Sequence, residues 1–347
     1  MKRAHLAIDL FSGCGGLSEG LKQAGFTVIA GAEIRPEARF AYELNHPEVQ
    51  LFEDVKEVSL KEVSSKCLLE RGALDLLAAC PPCQGFSTLR TNKHAVQADD
   101  ERNKLIFQVS RLAAEFLPKA VLVENVPGLL SNWRIKEFRR RLKKLGYRTA
   151  HAILDASEFG VPQRRKRMIF IGIRSDVEPT IPKPTTTTPA TVRTAIEGLT
   201  IDPGSIAAEL HLVRQKLSSK ILRRVKRIPK DGGSRRDLGM CSQLPCHKRQ
   251  MGFNDVYGRL SWDKVSSTIT RSSHNPSKGR FLHPEEHRGL SLYEAMLLQG
   301  FPPTYRLPVS GGIQKTSSLI GEAFPPPFAK AQALHILTLL ALGINEP

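Results

Sequence analysis

Cys80-Pro81-Pro82-Cys83-Gln84-Gly85-Phe86-Ser87 follows directly on Asp75-Leu76-Leu77-Ala78-Ala79, an acidic residue leading into a short apolar run. Such a run reads as a buried strand. A strand that ends in Pro-Pro delivers its next side chain at the carboxyl end of a sheet, where open α/β sheets gather ligands and chemistry. The two prolines stiffen the backbone ahead of Cys83, and Gly85 frees it afterwards. Cys83 is therefore the candidate nucleophile. Other readings stay open on these residues alone. Cys80-x-x-Cys83 has redox spacing, although a thioredoxin-type motif opens a helix early in a small domain. The pair could also be half a zinc site, with Cys241, Cys246 and His247 as the rest. An inert buried cysteine is the plainest alternative.

Upstream, Leu6-Ala7-Ile8-Asp9-Leu10-Phe11 reads as a first strand, followed by the turn Ser12-Gly13-Cys14-Gly15-Gly16 and a helical pattern from Leu17 to Ala24, with Gly25 as its C-cap. Strand, glycine turn and helix form the opening of a nucleotide-type site. The glycines let backbone approach a ligand, and the helix N-terminus offers free N–H groups. A second strand, Phe26 to Ala32, ends at Glu33, placed to bond the two hydroxyls of a ribose. Asp54 follows Leu51-Phe52-Glu53 and is placed for an adenine amino group. Each carboxylate alone would read as a solvated surface charge. Their fall at successive strand ends favours a bound adenosine.

Downstream, Thr88 to Asn103 is polar without an apolar period and reads as a long mobile loop, of the kind that closes over active sites. Leu105 to Leu117 is helical, and Ala120 to Val123 is a buried strand delivering Glu124-Asn125-Val126-Pro127. Ser131 to Leu145 is a basic amphipathic helix. Arg164, Arg165, Lys166 and Arg167 then stand between a Gly-Val-Pro turn and the strand Met168 to Ile173. A charge run is ordinarily a solvated face, but this position directs at least one cation into a site.

The 347 residues suffice for one large core and a smaller second domain. No apolar run reaches eighteen residues, and the N-terminal apolar stretch is too short for a signal peptide, so no membrane association is expected. Six irregularly spaced cysteines suit a reducing cytoplasm better than a disulfide framework. The net charge of +17 and the isoelectric point near 9.8 point to a polyanionic partner, with nucleic acid first. That charge is uneven. Residues 203–259 carry thirteen Lys/Arg against Glu209, Asp231, Asp237 and Asp255, and the stretch 223–236 has the footprint of phosphate contact. A proline- and threonine-rich segment, 177–190, reads as the linker before it.

Taken together these motifs resemble the bacterial DNA (cytosine-5) methyltransferases. Asp9-Leu-Phe-Ser-Gly-Cys-Gly-Gly-Leu17 is similar to their cofactor motif, and Pro81-Pro-Cys-Gln-Gly-Phe-Ser87 to their nucleophile loop. Glu124-Asn-Val126 and Gln163-Arg-Arg-Lys-Arg167 resemble their base-holding motifs, Arg288 to Pro302 the penultimate one, and Gly321-Glu-Ala-Phe-Pro325 the last. Two residues depart from the pattern. Glu322 stands where Asn is usual, and Arg35 where an acidic residue commonly follows the ribose-binding glutamate.

The resemblance implies an α/β fold: a Rossmann-like S-adenosylmethionine-dependent methyltransferase domain with a smaller target-recognition domain. Residues 1–178, completed by 315–347, would form the catalytic domain and 179–314 the recognition domain and hinge. It implies Cys83, Glu124 and Arg165 as catalytic residues, Cys83 adding to cytosine C6, Glu124 bonding N3 and the exocyclic amine, and Arg165 holding O2. S-adenosyl-L-methionine would lie against Asp9, Phe11, Gly13, Gly15, Glu33, Ile34, Asp54, Pro81, Leu105, Glu322 and Ala323. Ser87, Arg102, Arg223, Arg224 and Arg227 would contact double-stranded DNA. No metal is implied, and the protein is expected to be a cytoplasmic monomer, with a cognate restriction endonuclease as a separately acting partner. Two rivals share part of this pattern. A tRNA cytosine-5 methyltransferase would carry a Cys-Phe-Thr signature that is absent here. A silent DNA-binding regulator would have lost Cys83, Glu124 or Arg165.

Overall fold

The computed structural model describes residues 4–82, 101–238 and 255–343. Cys83, Ser87, Cys241, Cys246 and His247 lie outside the described residues. The chain divides into two compact units. One comprises Met1–Phe159, Lys166–Thr185 and Phe324–Pro347, the other Gly160–Arg165 and Thr186–Ala323. No helix among the described residues is long and apolar enough to cross a membrane.

The first unit is built on a seven-stranded sheet. Strands β1 (His5–Leu10), β2 (Phe26–Ala32), β3 (Gln50–Phe52), β4 (Leu76–Ala79), β5 (Ala120–Asn125), β6 (Arg148–Asp155) and β7 (Lys166–Ile173) stand in the order β3-β2-β1-β4-β5-β7-β6. The first five strands are parallel, and β7 runs antiparallel to both β5 and β6. The reason lies in composition. Ala120 to Val123 and Leu76 to Ala79 have no exposed surface, as strands covered on both faces require. Burying each Val or Leu there stabilises the fold by roughly 1.5–3 kcal/mol before entropy is counted. The chain order reverses between β1 and β4, so their carboxyl ends open the crevice in which such sheets hold ligands.

Helices α1 (Gly16–Gln23), α2 (Pro36–Glu43), α3 (Leu60–Cys67), α4 (Ile106–Phe116) and α5 (Trp133–Lys144) link the strands of this unit. The unit is completed late in the chain by α11 (Pro326–Leu342), an apolar helix that packs on α1. The approach is close enough to demand glycine. A Cβ on Gly20 would sit 2.5 Å from both Ala329 Cβ and Pro326 O. The sequence predicts loop as far as Asn103, but Glu101–Lys104 already forms a 3₁₀ turn leading into α4, and Asn103 is buried.

The second unit contains α6 (Val192–Ile196), α7 (Ile206–Leu212), α8 (Ser219–Arg227), α9 (Leu292–Leu298) and α10 (Ile313–Glu322). All seven residues of α9 are buried, and it packs against α6, α7 and α10. Ser291 caps α9 with Glu294, whose buried carboxylate also takes two 2.7 Å bonds from Arg288. A smaller core of Val225, Ile228, Leu238, Tyr257 and Leu282 seats α8.

Candidate active site

The turn after β1 is backbone shaped for a ligand. Phe11 adopts φ +60°, uncommon for a residue with a side chain, and Gly13 and Gly15 follow at +57° and +94°. Gly15 is the N-cap of α1 and has no side chain to cap it; Asp9 takes a backbone bond from Ser18, and the N–H groups ahead of Ser18 face the turn where a ligand can take them. Gly13 N donates to Glu33 Oε2 at 2.9 Å, so the carboxylate at the end of β2 fastens the glycine turn. Glu33 Oε1 accepts from both the backbone N and the Nε of Arg35, each at 3.0 Å. The departure at position 35 is therefore half of an ion pair with the predicted ribose ligand. A carboxylate has about four lone-pair sites, so Glu33 retains acceptor capacity for a hydroxyl. Beside it Ile34 is 66% exposed, an apolar side chain standing in water at the mouth of the crevice. Asp54 turns its Oδ1 to Lys56 N at 3.0 Å and so braces its own turn. N–H groups at the start of α1, a carboxylate with one acceptor site left and an exposed aliphatic face together fit an adenosine-bearing cofactor.

Asp9, expected against the cofactor, is placed deeper than Glu33: its side chain has no exposed surface. Its Oδ2 accepts from Ser18 Oγ at 2.7 Å, and Ser18 Oγ lies 2.7 Å from Tyr42 OH. Asp9 thus holds the first turn of α1 from β1, through its bonds to Ser18. Burial raises its pKa to about 7, opposed by the Ser18 hydrogen bonds and assisted by the nearby Glu33 charge. A carboxyl whose folded pKa is raised binds its proton more tightly when folded, so stability falls as pH rises from about 4 through 7. The loss is roughly 4 kcal/mol at most. Asp9→Asn is expected to gain on the wild type in urea unfolding as pH rises from about 4 through 7, and to exceed it most at pH 8. Parallel pH profiles for the two proteins would show that Asp9 does not titrate in this range.

The stretch leading to Cys83 is anchored from both neighbouring strands. Cys80 N donates to Leu10 O at 3.1 Å, and Asn125 Nδ2 donates to Pro81 O at 2.9 Å. Leu10 pairs with Ala79 and Ala79 with Val123, so the ends of β1, β4 and β5 meet at Pro81. Burial, reinforced by the charges of Glu124 and Asp9, pushes the Cys80 thiol well above its ordinary pKa. A thiol held protonated is a poor redox nucleophile and a poor metal ligand, which weakens the readings built on the Cys80 and Cys83 pair.

Glu124 lies at the end of β5, only 9% exposed, and its Oε1 takes an ion pair from Arg167 Nε at 2.8 Å. Strand geometry explains the partner. Glu124 stands opposite Ile169, and residues two apart on a strand share a face. Arg167 is therefore the diagonal neighbour of Glu124. The resemblance implies Arg165 and passes over Arg167; the apolar run begins at Met168 whereas the strand begins at Lys166. Counting alternate positions back from Ile169 is the signal that finds it.

Arg165 belongs to the second unit and is 3% exposed. Its Nη1 donates to Ile269 O at 3.1 Å, and its Nη2 to Gly321 O at 3.0 Å and Ala323 O at 3.2 Å. It binds the end of α10 to the segment around Ile269. Gln163 extends the same framework, giving Nε2 to Leu298 O and Gln299 Oε1 and accepting from Ile269 N. Gly321 leaves no room for a side chain against the Thr270–Arg271 backbone. Glu322 pairs with Arg271 Nε at 2.9 Å, so the second departure is also half of an ion pair. Pairs this exposed stabilise by about 0–1 kcal/mol. Glu322→Asn is accordingly expected to leave cofactor affinity unchanged or slightly tighter by calorimetry. A tenfold loss would place the Glu322 carboxylate on the ligand. Ala323 is buried, and Leu105 packs its half-buried side chain on the first unit's core.

The basic segment resolves into two kinds of cation. On α8, Ile221 and Val225 face inward while Lys220, Arg223, Lys226 and Arg227 are exposed, and Arg224 is half-buried. Arg235 and Arg259 are buried, contrary to a uniformly phosphate-facing reading. Arg259 donates to Val225 O, Ile228 O and His283 O, closing the carboxyl end of α8. On the first unit, Arg102 is exposed on its 3₁₀ turn.

Residues 6–338 match the family described as C-5 cytosine-specific DNA methylase. Type II methylase M.HgiDII of Herpetosiphon aurantiacus is 34% identical over 98% of this chain and 96% of its own. Type II methyltransferase M1.BsuMI of Bacillus subtilis is 32% identical over 95% and 79%. Among solved structures, an E. coli prophage protein described as a DNA modification methyltransferase superposes with a TM-score of 0.75 at 24% identity. That match covers 97% of this chain and all of the other.

Proposed function

The chain belongs to the C-5 cytosine-specific DNA methylase family, and from that premise we propose how its own residues divide the reaction. It is a DNA (cytosine-5)-methyltransferase, for which S-adenosyl-L-methionine supplies an electrophilic methyl group. Cytosine C5 is a weak nucleophile. The Cys83 thiolate adds to C6, which makes C5 enamine-like and able to accept the methyl group. Loss of the C5 proton to a base then lets the C5–C6 double bond re-form as Cys83 departs. A stacked base cannot be reached from both faces, so the cytosine is flipped out of the duplex first.

Glu124 holds N3 and the exocyclic amine. We assign the cation beside it to Arg167, and give Arg165 the positioning role of fixing the Gly321–Ala323 backbone. The observation that carries this reading is the largely shielded Glu124–Arg167 pair, one residue from the Asn125 bond that anchors Pro81. Gly13, Gly15, Glu33 and Ile34 hold the adenosine end of the cofactor. Asp9 supports them indirectly. Ser87 and Arg102 contact phosphates near the flipped base.

The second unit is the proposed target-recognition domain, with α8 on the DNA backbone. Replacing Arg223 and Arg227 by Ala is expected to lower the log–log salt slope of duplex binding by roughly 0.9 for each phosphate no longer neutralised. Turnover at saturating DNA should hardly move. If discrimination between sites shrinks by roughly 1–3 kcal/mol at constant slope, one of the two reads a guanine edge instead. By the names of its relatives, the enzyme is the modification half of a Type II restriction-modification system. It would act as a cytoplasmic monomer alongside a separate endonuclease. Labelled methyl transfer to duplex DNA and to tRNA, followed by bisulfite sequencing, tests the whole reading. Label in tRNA alone would overturn it.

A further inference from the structure

Helix α5 lies in the first unit, away in sequence from every residue given a role above. Its buried side consists of Arg134, Ile135, Phe138 and Leu142. Its other side is almost entirely cationic, with Lys136, Arg139, Arg140, Arg141, Lys143 and Lys144 all exposed. The single acid, Glu137, is consumed by Arg140 and Arg141 at 2.7–2.9 Å. Helices α1 to α4 each stay within one charge of neutral. Helix α1 has Glu19 against Lys22, α2 has Glu37 and Glu43 against Arg39, α3 has Glu62 against Lys61 and Lys66, and α4 has Arg111 paired with Glu115. A solvated face needs no such excess. Solubility alone would be served equally by mixed charge.

Two ordinary explanations fall short. The negative end of a helix dipole favours cations in the last turn, which accounts for Arg141, Lys143 and Lys144. It does not account for Lys136, which stands in the first turn where a cation is unfavourable. Intrahelical pairing accounts for Arg140 and Arg141 but leaves Lys136–Arg140, Arg139–Lys143 and Arg140–Lys144 as like-charge pairs at i,i+4, each of them destabilising. A stripe of mutually repelling cations is stabilised when a polyanion lies along it. Lys136, Arg139, Arg140 and Lys143 advance along one side over roughly 10 Å of helix axis, a length that spans successive phosphates of a nucleic-acid strand.

We propose that the solvent face of α5 is a second phosphodiester-binding surface, separate from α8, which takes duplex DNA by its backbone without reading sequence. Such a surface would hold the enzyme on non-cognate DNA between turnovers, since sequence-independent affinity is almost wholly electrostatic. The choice of DNA as the polyanion rests on the function proposed above. Methyl transfer by the wild-type enzyme to a cytosine-containing duplex tests that function separately.

The test uses the full chain and a poly(dA)·poly(dT) duplex, which has no cytosine to engage the active site. Lys136, Arg139, Lys143 and Lys144 are changed together to Gln, sparing the Glu137 pairs. Binding is followed by anisotropy from about 50 to 200 mM salt, where each neutralised phosphate adds roughly 0.9 to the log–log slope. The expected result is a slope lower by about 2–4 and an affinity at least about tenfold weaker at the upper end. Melting temperature should not fall, since the variant relieves the three like-charge pairs, and cofactor binding and kcat at saturating cognate DNA should be unchanged. A Lys136→Arg, Lys143→Arg, Lys144→Arg variant keeps the charge and should keep the wild-type slope, which separates charge from folding. Wild-type slope and affinity in the Gln variant would overturn the proposal and leave α5 a solvated face. So would equal losses in the Gln and Arg variants.

Discussion

Arg167→Ala is expected to lower kcat by roughly 10²–10³-fold, the cost of removing one preorganised donor from a reacting centre, while cofactor affinity stays within about threefold. The reasoning is geometric. Arg167 is the cation in contact with Glu124, at 2.8 Å, and both side chains are largely shielded from water. Truncating it leaves a nearly buried carboxylate without its counter-ion, so Glu124 no longer sits where the base needs it. Arg167→Lys should recover part of the rate, since the charge returns without the planar fork. Arg165→Ala should behave differently. Ile269, Gly321 and Ala323 would each lose a donor to a backbone oxygen, and unsatisfied buried groups cost about 1–3 kcal/mol apiece. Its signature is lowered stability in denaturant, with whatever activity survives showing an ordinary KM for DNA. The opposite pattern, a stable but inactive Arg165 variant and an active Arg167 variant, would return the catalytic role to Arg165.

Cys83→Ser should abolish methyl transfer, with a loss of roughly 10⁴-fold or more, as for other enzymes deprived of their nucleophile. Cofactor binding should survive, because the glycine turn and Glu33 do not involve the thiol. The adduct itself can be sought. Fluorine at C5 of the target cytosine cannot leave as a proton does, so the Cys83–C6 bond persists once the methyl group is on. Wild type should therefore give a denaturant-resistant complex with a 5-fluorocytosine duplex, and the Ser variant none. Cys80→Ala should retain most activity, since burial keeps that thiol protonated. An adduct formed by Cys83→Ser, or near-total loss in Cys80→Ala, would shift the nucleophile to Cys80.

The sheet is legible in the sequence because its central strands are covered on both faces and read as unbroken apolar runs, as in Leu76 to Ala79 and Ala120 to Val123. Glu33 and Glu124 can be placed for the same reason, since a carboxylate that ends such a run lies at the rim. Side-chain direction is harder. Asp9 sits inside its strand, where the sequence does not announce which side chains reach a ligand. Arg165 and Arg167 differ by a count of alternate positions, settled by where β7 begins. Partners distant in sequence are invisible to it. Glu322 finds Arg271, and Arg259 gathers carbonyls from Val225 to His283, through packing that no local pattern encodes. Arg235 and Arg259 pass for surface charge for that reason. The basic face of α8 is readable because Ile221, Val225 and Ile228 recur at helical spacing.

The first unit is written in three pieces, with nearly all of the second unit between Thr185 and Phe324. On a ribosome, α11 emerges only after that whole insertion has been made. Until it does, α1 has nothing against Gly20, and the glycine turn that precedes α1 rests on an uncovered helix. A growing chain can thus fold its second unit while its first is still open, and a chain that stops short of α11 never closes the first.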